Sequence, residues 1–152
     1  MKLSFDQLDE RIISFMQEYG ILFLRVSVGI IFFWFGILKF FPKISSAEML
    51  ATETITKLTF GLVPASVSII ILAAWETIIG IGLIVGKYLR IVLFLLFAQM
   101  LGTLTPLVLF SSETFTYFPI VPTLEGQYII KNLILISAGL VLGSTVKRKD
   151  NN

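Results

Sequence analysis

Four long apolar runs separated by shorter polar stretches dominate the chain, at residues 21–41, 64–86, 89–110 and 128–146. Each matches a bilayer, because about 20 helical residues at about 1.5 Å of rise cover a hydrocarbon layer roughly 30 Å thick. A backbone in lipid must close its hydrogen bonds inside a helix or a barrel, and these runs are too long and continuous for barrel strands. Ahead of them, Phe5, Leu8, Ile12, Phe15 or Met16, and Tyr19 recur at helical spacing, and Ser4 with Gln7 has the spacing of a capping box. Residues 1–20 therefore predict an amphipathic helix at the cytoplasmic interface. They lack the basic start, apolar stretch and small-residue site of a cleavable signal. In the loop after the first run, Ser45 and Glu48 repeat the capping-box spacing, and Ala47, Leu50, Thr54 and Leu58 predict a short helix along the outer membrane surface. Phe115, Tyr117 and Phe118, followed by Pro119 and Pro122, suit the outer headgroup belt. The expected architecture is an all-α membrane protein: an antiparallel four-transmembrane-helix bundle over residues 21–146, with an N-terminal interfacial helix, a short outer-loop helix and a basic cytoplasmic tail at residues 147–152.

Lysine and arginine orient the spans. One side carries Lys2, Arg11, Arg25, Lys87, Arg90, Lys147, Arg148 and Lys149, and the other Lys39, Lys43, Lys57 and Lys131. Eight against four predicts both termini in the cytoplasm. Composition agrees with a membrane protein: 56% of the 152 residues are hydrophobic and 14% charged, against about 25% charged in an average soluble domain. The formal charge of +2 gives no nucleic-acid footprint, since the basic residues are scattered among apolar runs. With no cysteine and no histidine, disulfide and thiolate chemistry, Cys/His zinc sites, His-ligated haem, Cys-ligated iron–sulfur clusters and Ser-His-Asp triads are excluded. Neither a GxGxxG fingerprint nor a Walker loop is present, so no nucleotide motif is found. The scattered Met16, Met49 and Met100 fit packing better than copper binding.

Ionisable residues at membrane depth are costly and normally face a bundle interior or a cavity. Here they are Arg25, Lys39, Glu76 and Lys131. Arg25, Gly29, Phe32, Gly36 and Lys39 share one helical stripe, whose glycines predict close contact with another helix. Ala73, Glu76, Thr77 and Gly80 share a face in the second span, and Gln99, Thr103 and Pro106 in the third. Pro106 cannot donate to the carbonyl of Gly102, which therefore needs another partner. Lys131, Leu135, Ala138 and Gly139 line up in the fourth span, where Gly139 and Gly143 make a GxxxG pair that fits either packing within the bundle or a homo-oligomer. If each span is centred on the midplane, Glu76 and Gln99 lie near the centre, Lys131 ~8 Å outward, Arg25 ~9 Å inward and Lys39 ~12 Å outward. That ranking makes Lys131 the expected partner of Glu76, Arg25 the next, and Lys39 a residue of the outer mouth. Two readings stay open. The charges form structural ion pairs that fix helix order, or Arg25, Lys39, Glu76, Gln99, Thr103, Lys131 and Asn132 line a pocket walled by Phe32, Trp34 and Trp75, in which Glu76 handles a proton and the surplus cations meet an anionic or carbonyl-bearing guest.

The FWFGILKFFP stretch ending at Pro42, the Trp75-Glu76 pair and EGQYIIKN from Glu125 to Asn132 resemble the DoxX-like membrane proteins. The resemblance spans about residues 21–146 and rests on Arg25, Gly36, Lys39, Glu76, Gly126, Lys131 and Asn132. It implies a four-helix bundle in a bacterial inner membrane and an association with quinone-linked redox systems. The function it implies is that of a redox-associated membrane protein whose polar pocket takes a quinone or a similar lipid-like head group, with other redox-complex subunits as partners beside membrane lipids. If the protein is an enzyme, it is a quinone-linked oxidoreductase subunit that relies on a partner or a borrowed cofactor. The alternatives are a non-enzymatic accessory or assembly subunit and, ranked last, a small proton-coupled exporter.

Overall fold

The computed structural model describes residues 5–41 and 48–146, so the expected caps at Ser4 and Ser45 and the basic tail lie outside the described residues. Among the described residues, seven helices and one small hairpin follow in chain order: α1 (Phe5–Leu38), α2 (Glu48–Leu58), α3 (Ala65–Val85), α4 (Leu89–Leu104), α5 (Pro106–Leu109), α6 (Ser111–Thr114), β1 (Phe115–Tyr117), β2 (Val121–Pro122) and α7 (Leu124–Ser144). Four stretches among the described residues are long and apolar enough to cross a membrane: α1, α3, α4 continued through α5, and α7. They form an all-α membrane bundle in which α1 packs on α3, α3 on α4, α4 on α7, and α7 closes the ring on α1. Phe32, Ile79, Leu83, Val92, Leu96, Met100, Ala138 and Leu142 fill its centre, while Phe94, Leu101 and Ile134 stay exposed on the outward face where lipid replaces a packed neighbour.

The α1/α3 seam is the tightest contact and fixes the axial register of the bundle. A Cβ placed on Gly29 would lie 2.9 Å from Ile84 Cγ1, and one on Gly36 2.7 Å from the Thr77 backbone nitrogen. Between them, Gly80 lies directly against the Phe33 backbone. From Gly36 to Gly29 is seven residues back along α1, and from Thr77 to Ile84 seven forward along α3, so the helices run antiparallel with a heptad-spaced seam. Small residues remove the side-chain layer and let the backbones approach, as membrane helices do where burial of apolar surface gives no drive. Gly139 packs on Phe97 and Leu96, and Gly143 faces Leu93, so the GxxxG pair is used inside the bundle against α4.

Three local features depart from the expected pattern or complete it. Residues 5–20 do not form a separate helix, because α1 runs through Gly20 without a break for 34 residues, about 50 Å. Within the third span α4 ends at Leu104 and α5 takes over at Pro106, and the Gly102 carbonyl freed by Pro106 accepts from the Thr105 amide at 3.2 Å and its hydroxyl at 2.7 Å. The loop before α7 pairs Phe115 with Pro122 and Tyr117 with Val121 in an antiparallel hairpin that the spacing of its aromatics did not foretell. Phe115 and Phe118 meet edge to face there, with ring centres 5.2 Å apart, and Tyr117 and Phe118 are exposed. The predicted outer-loop helix is α2, which lies over the start of α3.

Candidate functional site

Glu76 projects from the middle of α3 and is buried. Its Oε2 accepts from Lys39 Nζ at 2.6 Å, and its Oε1 accepts from Gln99 Nε2 at 2.7 Å. The centre therefore ties the end of α1 and the middle of α4 to α3. The Lys39 and Glu76 side chains are only 9% and 10% exposed, so both charges are largely out of solvent and each is neutralised by the other. Lys39 is delivered by a tightened last turn, in which its own amide donates to the Gly36 carbonyl at 3.2 Å. One turn before it, Gly36 lies against Glu76 Cβ, so the small residue that allows close approach also brings the ammonium to the carboxylate.

This corrects the partner expected from depth. Centring each span separately placed Lys131 and Arg25 ahead of Lys39, but the glycine seam slides α1 along α3 by about two turns, roughly 10 Å, from that alignment. Arg25 is carried to the far end of α3, where Nη1 donates to the Leu83 carbonyl at 2.9 Å. There the chain leaves α3 through Gly86 at φ 75°, and the Arg25 guanidinium fills the space that a Cβ would take. A cation against the last carbonyls of a helix complements its dipole. Lys131 is exposed on the N-terminal part of α7, with its ammonium 5.2 Å from the Tyr128 ring centre.

The remaining candidates divide in the same way. Trp75 is half-buried beside the centre, and its indole N–H donates to the Leu95 carbonyl at 3.1 Å, joining α3 to α4 one turn from Gln99. Phe32 is buried in the core, whereas Trp34 is 64% exposed and forms no wall of the interior. Thr103 lies one turn beyond Gln99 and accepts from Asn132 Nδ2 at 3.4 Å, which makes a second polar link, between α4 and α7. The structure thus brings together Lys39, Glu76 and Gln99, with Trp75 adjacent. It keeps Thr103 with Asn132, and sends Arg25, Trp34 and Lys131 elsewhere.

Within the centre the hydrogen bonds are unevenly filled. Gln99 is 7% exposed, and its Oε1 has no hydrogen-bond partner among the described residues. Turning the amide over would set that oxygen against the Glu76 carboxylate, so the pairing of Nε2 with Glu76 leaves Oε1 as a buried acceptor. The charge surplus read from the sequence is absent at this point, since one acid meets one cation.

A family model for DoxX matches residues 20–112. The chain belongs to the DoxX family. The match runs from the membrane half of α1 to the start of α6 and so contains the whole Lys39–Glu76–Gln99 centre of this DoxX protein, while α7 with Lys131 and Asn132 lies beyond it. Neither a curated protein nor a solved structure matches the chain.

Proposed function

We propose that this DoxX protein is a redox-associated membrane subunit whose Lys39–Glu76–Gln99 centre receives the polar head group of a quinone-type lipid. The observation that carries the reading is the unpartnered Oε1 of Gln99. A buried acceptor without a donor costs about 1–3 kcal/mol, and a hydroxyl-bearing guest would remove that cost. The residues fit such a head group: Gln99 Oε1 would accept from a hydroxyl, and the hydrogens of Lys39 Nζ and Gln99 Nε2 not used by Glu76 would donate to a carbonyl. A bound quinone would supply the two-electron chemistry that no side chain of this cysteine- and histidine-free chain carries. The lysine and arginine bias supports an orientation with both termini in the cytoplasm, and the family resemblance supports a bacterial inner membrane.

A second reading, an accessory subunit whose buried charges only lock the helices, is favoured by the short Lys39–Glu76 contact. Fluorescence separates the two. With only two tryptophans in the chain, Trp34→Phe leaves Trp75 as the sole reporter beside the centre. The expected result is saturable quenching of Trp75 by a soluble ubiquinone analogue in its reduced form, whose ring hydroxyls can donate to Gln99 Oε1, lost in Gln99→Leu while helicity and melting are retained. Absence of saturable quenching, together with no quinone in a solvent extract of the purified protein, would leave the accessory reading in place.

A further inference from the structure

A groove of about 320 Å³ opens between α2, the start of α3 and the end of α5, lined by Thr52, Glu53, Thr56, Lys57, Ala65 and Phe110. Its depth in the membrane is fixed twice. Ala65 is the first residue of the 21-residue span α3, and Phe110 directly follows the 21-residue span that ends at Leu109. Each span covers about 30 Å, the thickness of the hydrocarbon layer, so the groove lies where hydrocarbon gives way to head groups. Glu76 is three turns further along α3, about 16 Å, so the groove is separate from the Lys39–Glu76–Gln99 centre. Within it the polar groups stand apart. A glutamate four residues before a lysine normally pairs with it along a helix, yet Lys57 turns away from Glu53 and donates to the Leu109 carbonyl at 3.1 Å, with its ammonium 4.6 Å from the Phe110 ring centre. Glu53 is exposed and has no ion pair or hydrogen bond among the described residues. Thr52, Thr54 and Thr59 donate their hydroxyls back to carbonyls of α2, whereas the Thr56 hydroxyl has no partner among the described residues.

We propose that this groove holds the phosphoethanolamine head group of a membrane lipid. The ammonium of the head group pairs with Glu53. Its phosphate lies between the Thr56 hydroxyl and the Lys57 ammonium, which keeps two hydrogens beyond the one given to the Leu109 carbonyl. Charge complementarity chooses this occupant. A purely anionic head group would meet Lys57 but would be repelled by the unpaired carboxylate of Glu53. A choline head group carries the right charges, but its quaternary nitrogen has no N–H to donate to Glu53, and the aromatic face it would seek on Phe110 is taken by Lys57. The volume is at the lower end of the ~300–1,000 Å³ of small-molecule sites, which suits a head group and not a whole lipid. Val67, Ile70 and Ile71, in the first two turns of α3, are exposed and leave apolar surface for the acyl chains.

Native mass spectrometry of the full-length protein in detergent tests the site, with equal amounts of phosphatidylethanolamine, phosphatidylcholine and phosphatidylglycerol that share the same acyl chains. Phosphatidylethanolamine should be retained several-fold more than either of the others. Glu53→Gln should bring it down to the phosphatidylcholine level, and Thr56→Val and Lys57→Gln should lower its retention. Glu125→Gln, which alters an exposed acid at the start of α7 outside the groove, should leave the preference unchanged. Helicity and melting should be kept in Glu53→Gln and Thr56→Val, whose side chains are exposed and half-buried. Equal retention of the three lipids, or a preference that survives Glu53→Gln, would overturn the inference. Free phosphoethanolamine that displaces the lipid at the lipid's own concentration would do the same and assign the groove to a soluble ligand.

Discussion

Removing the Lys39 ammonium tests whether the central pair holds the bundle together. With Nζ 2.6 Å from Oε2, the gross attraction is about 6 kcal/mol at an effective dielectric of about 20. In Lys39→Met the acid stays buried with Gln99 as its remaining partner, and breaking a buried pair from one side typically costs about 3–5 kcal/mol. An ordinary interhelical hydrogen bond in a membrane contributes only about 0.6 kcal/mol, so the two descriptions are well separated. The assay is reversible unfolding in mixed micelles, followed by helicity, for the wild type, Lys39→Met, Glu76→Gln and the double variant. Lys39→Met should lose about 3–5 kcal/mol, and Lys39→Met/Glu76→Gln should regain most of it, because no charge is then left buried and the amide oxygen introduced by Glu76→Gln can still accept from Gln99. A loss below about 1 kcal/mol in Lys39→Met would refute the description of the pair as a buried ionic lock. So would a double variant as unstable as the two single losses added.

The close approach of α1 and α3 predicts that Gly80→Ala, whose Cβ would meet the Phe33 backbone, costs about 1–3 kcal/mol, while Gly143→Ala, with Leu93 Cδ1 at 3.7 Å, costs far less; melting of the two variants side by side checks the contrast. Arg25→Ala should destabilise by about 1 kcal/mol through loss of its hydrogen bond to the α3 terminus, and added salt should not mimic the change, since the contact is partly buried. Thr105→Val should cost about 0.5–1.5 kcal/mol in the Pro106 background, because only the amide then serves the Gly102 carbonyl, and much less after Pro106→Ala restores an N–H donor, as a double-mutant cycle would show.

The spans were legible because a bilayer imposes length and apolarity on any helix that crosses it, and α2 because Leu50, Thr54 and Leu58 repeat at helical spacing. Glu76, Gln99 and the glycine stripe of α1 were legible for a related reason: polar and small residues have few uses at membrane depth. Pro106 revealed an orphaned carbonyl, and its partner Thr105 was the neighbouring residue. The choice of cation was missed because depth was measured from the centre of each apolar run, whereas register is set by which side chains let two backbones touch. Gly29, Gly36 and Gly80 held that information and could have placed Lys39 beside Glu76. The separate helix expected over residues 1–20 has no boundary at Gly20. The backbone there continues in helical form, and a glycine inside a helix costs only about 1 kcal/mol relative to alanine. The hairpin after α6 rests on backbone pairing across a short loop, for which aromatic spacing holds no signal.

The same register changes what the centre can ask of a guest. Three membrane cations around one acid argued for an anionic or carbonyl-bearing ligand, but the glycine seam separates them. Arg25 closes the end of α3, Lys131 sits over Tyr128 near the start of α7, and of the three only Lys39 reaches Glu76. What is left over at the centre is an acceptor, Gln99 Oε1, held in place because its amide nitrogen serves the carboxylate. A neutral donor meets that requirement and an anion does not: an anion would bring a second negative charge beside Glu76 and leave the oxygen of Gln99 facing another acceptor. The selectivity proposed for this site therefore comes from Gln99, a residue with no charge of its own, and the ion pair acts by fixing which of its two ends is free.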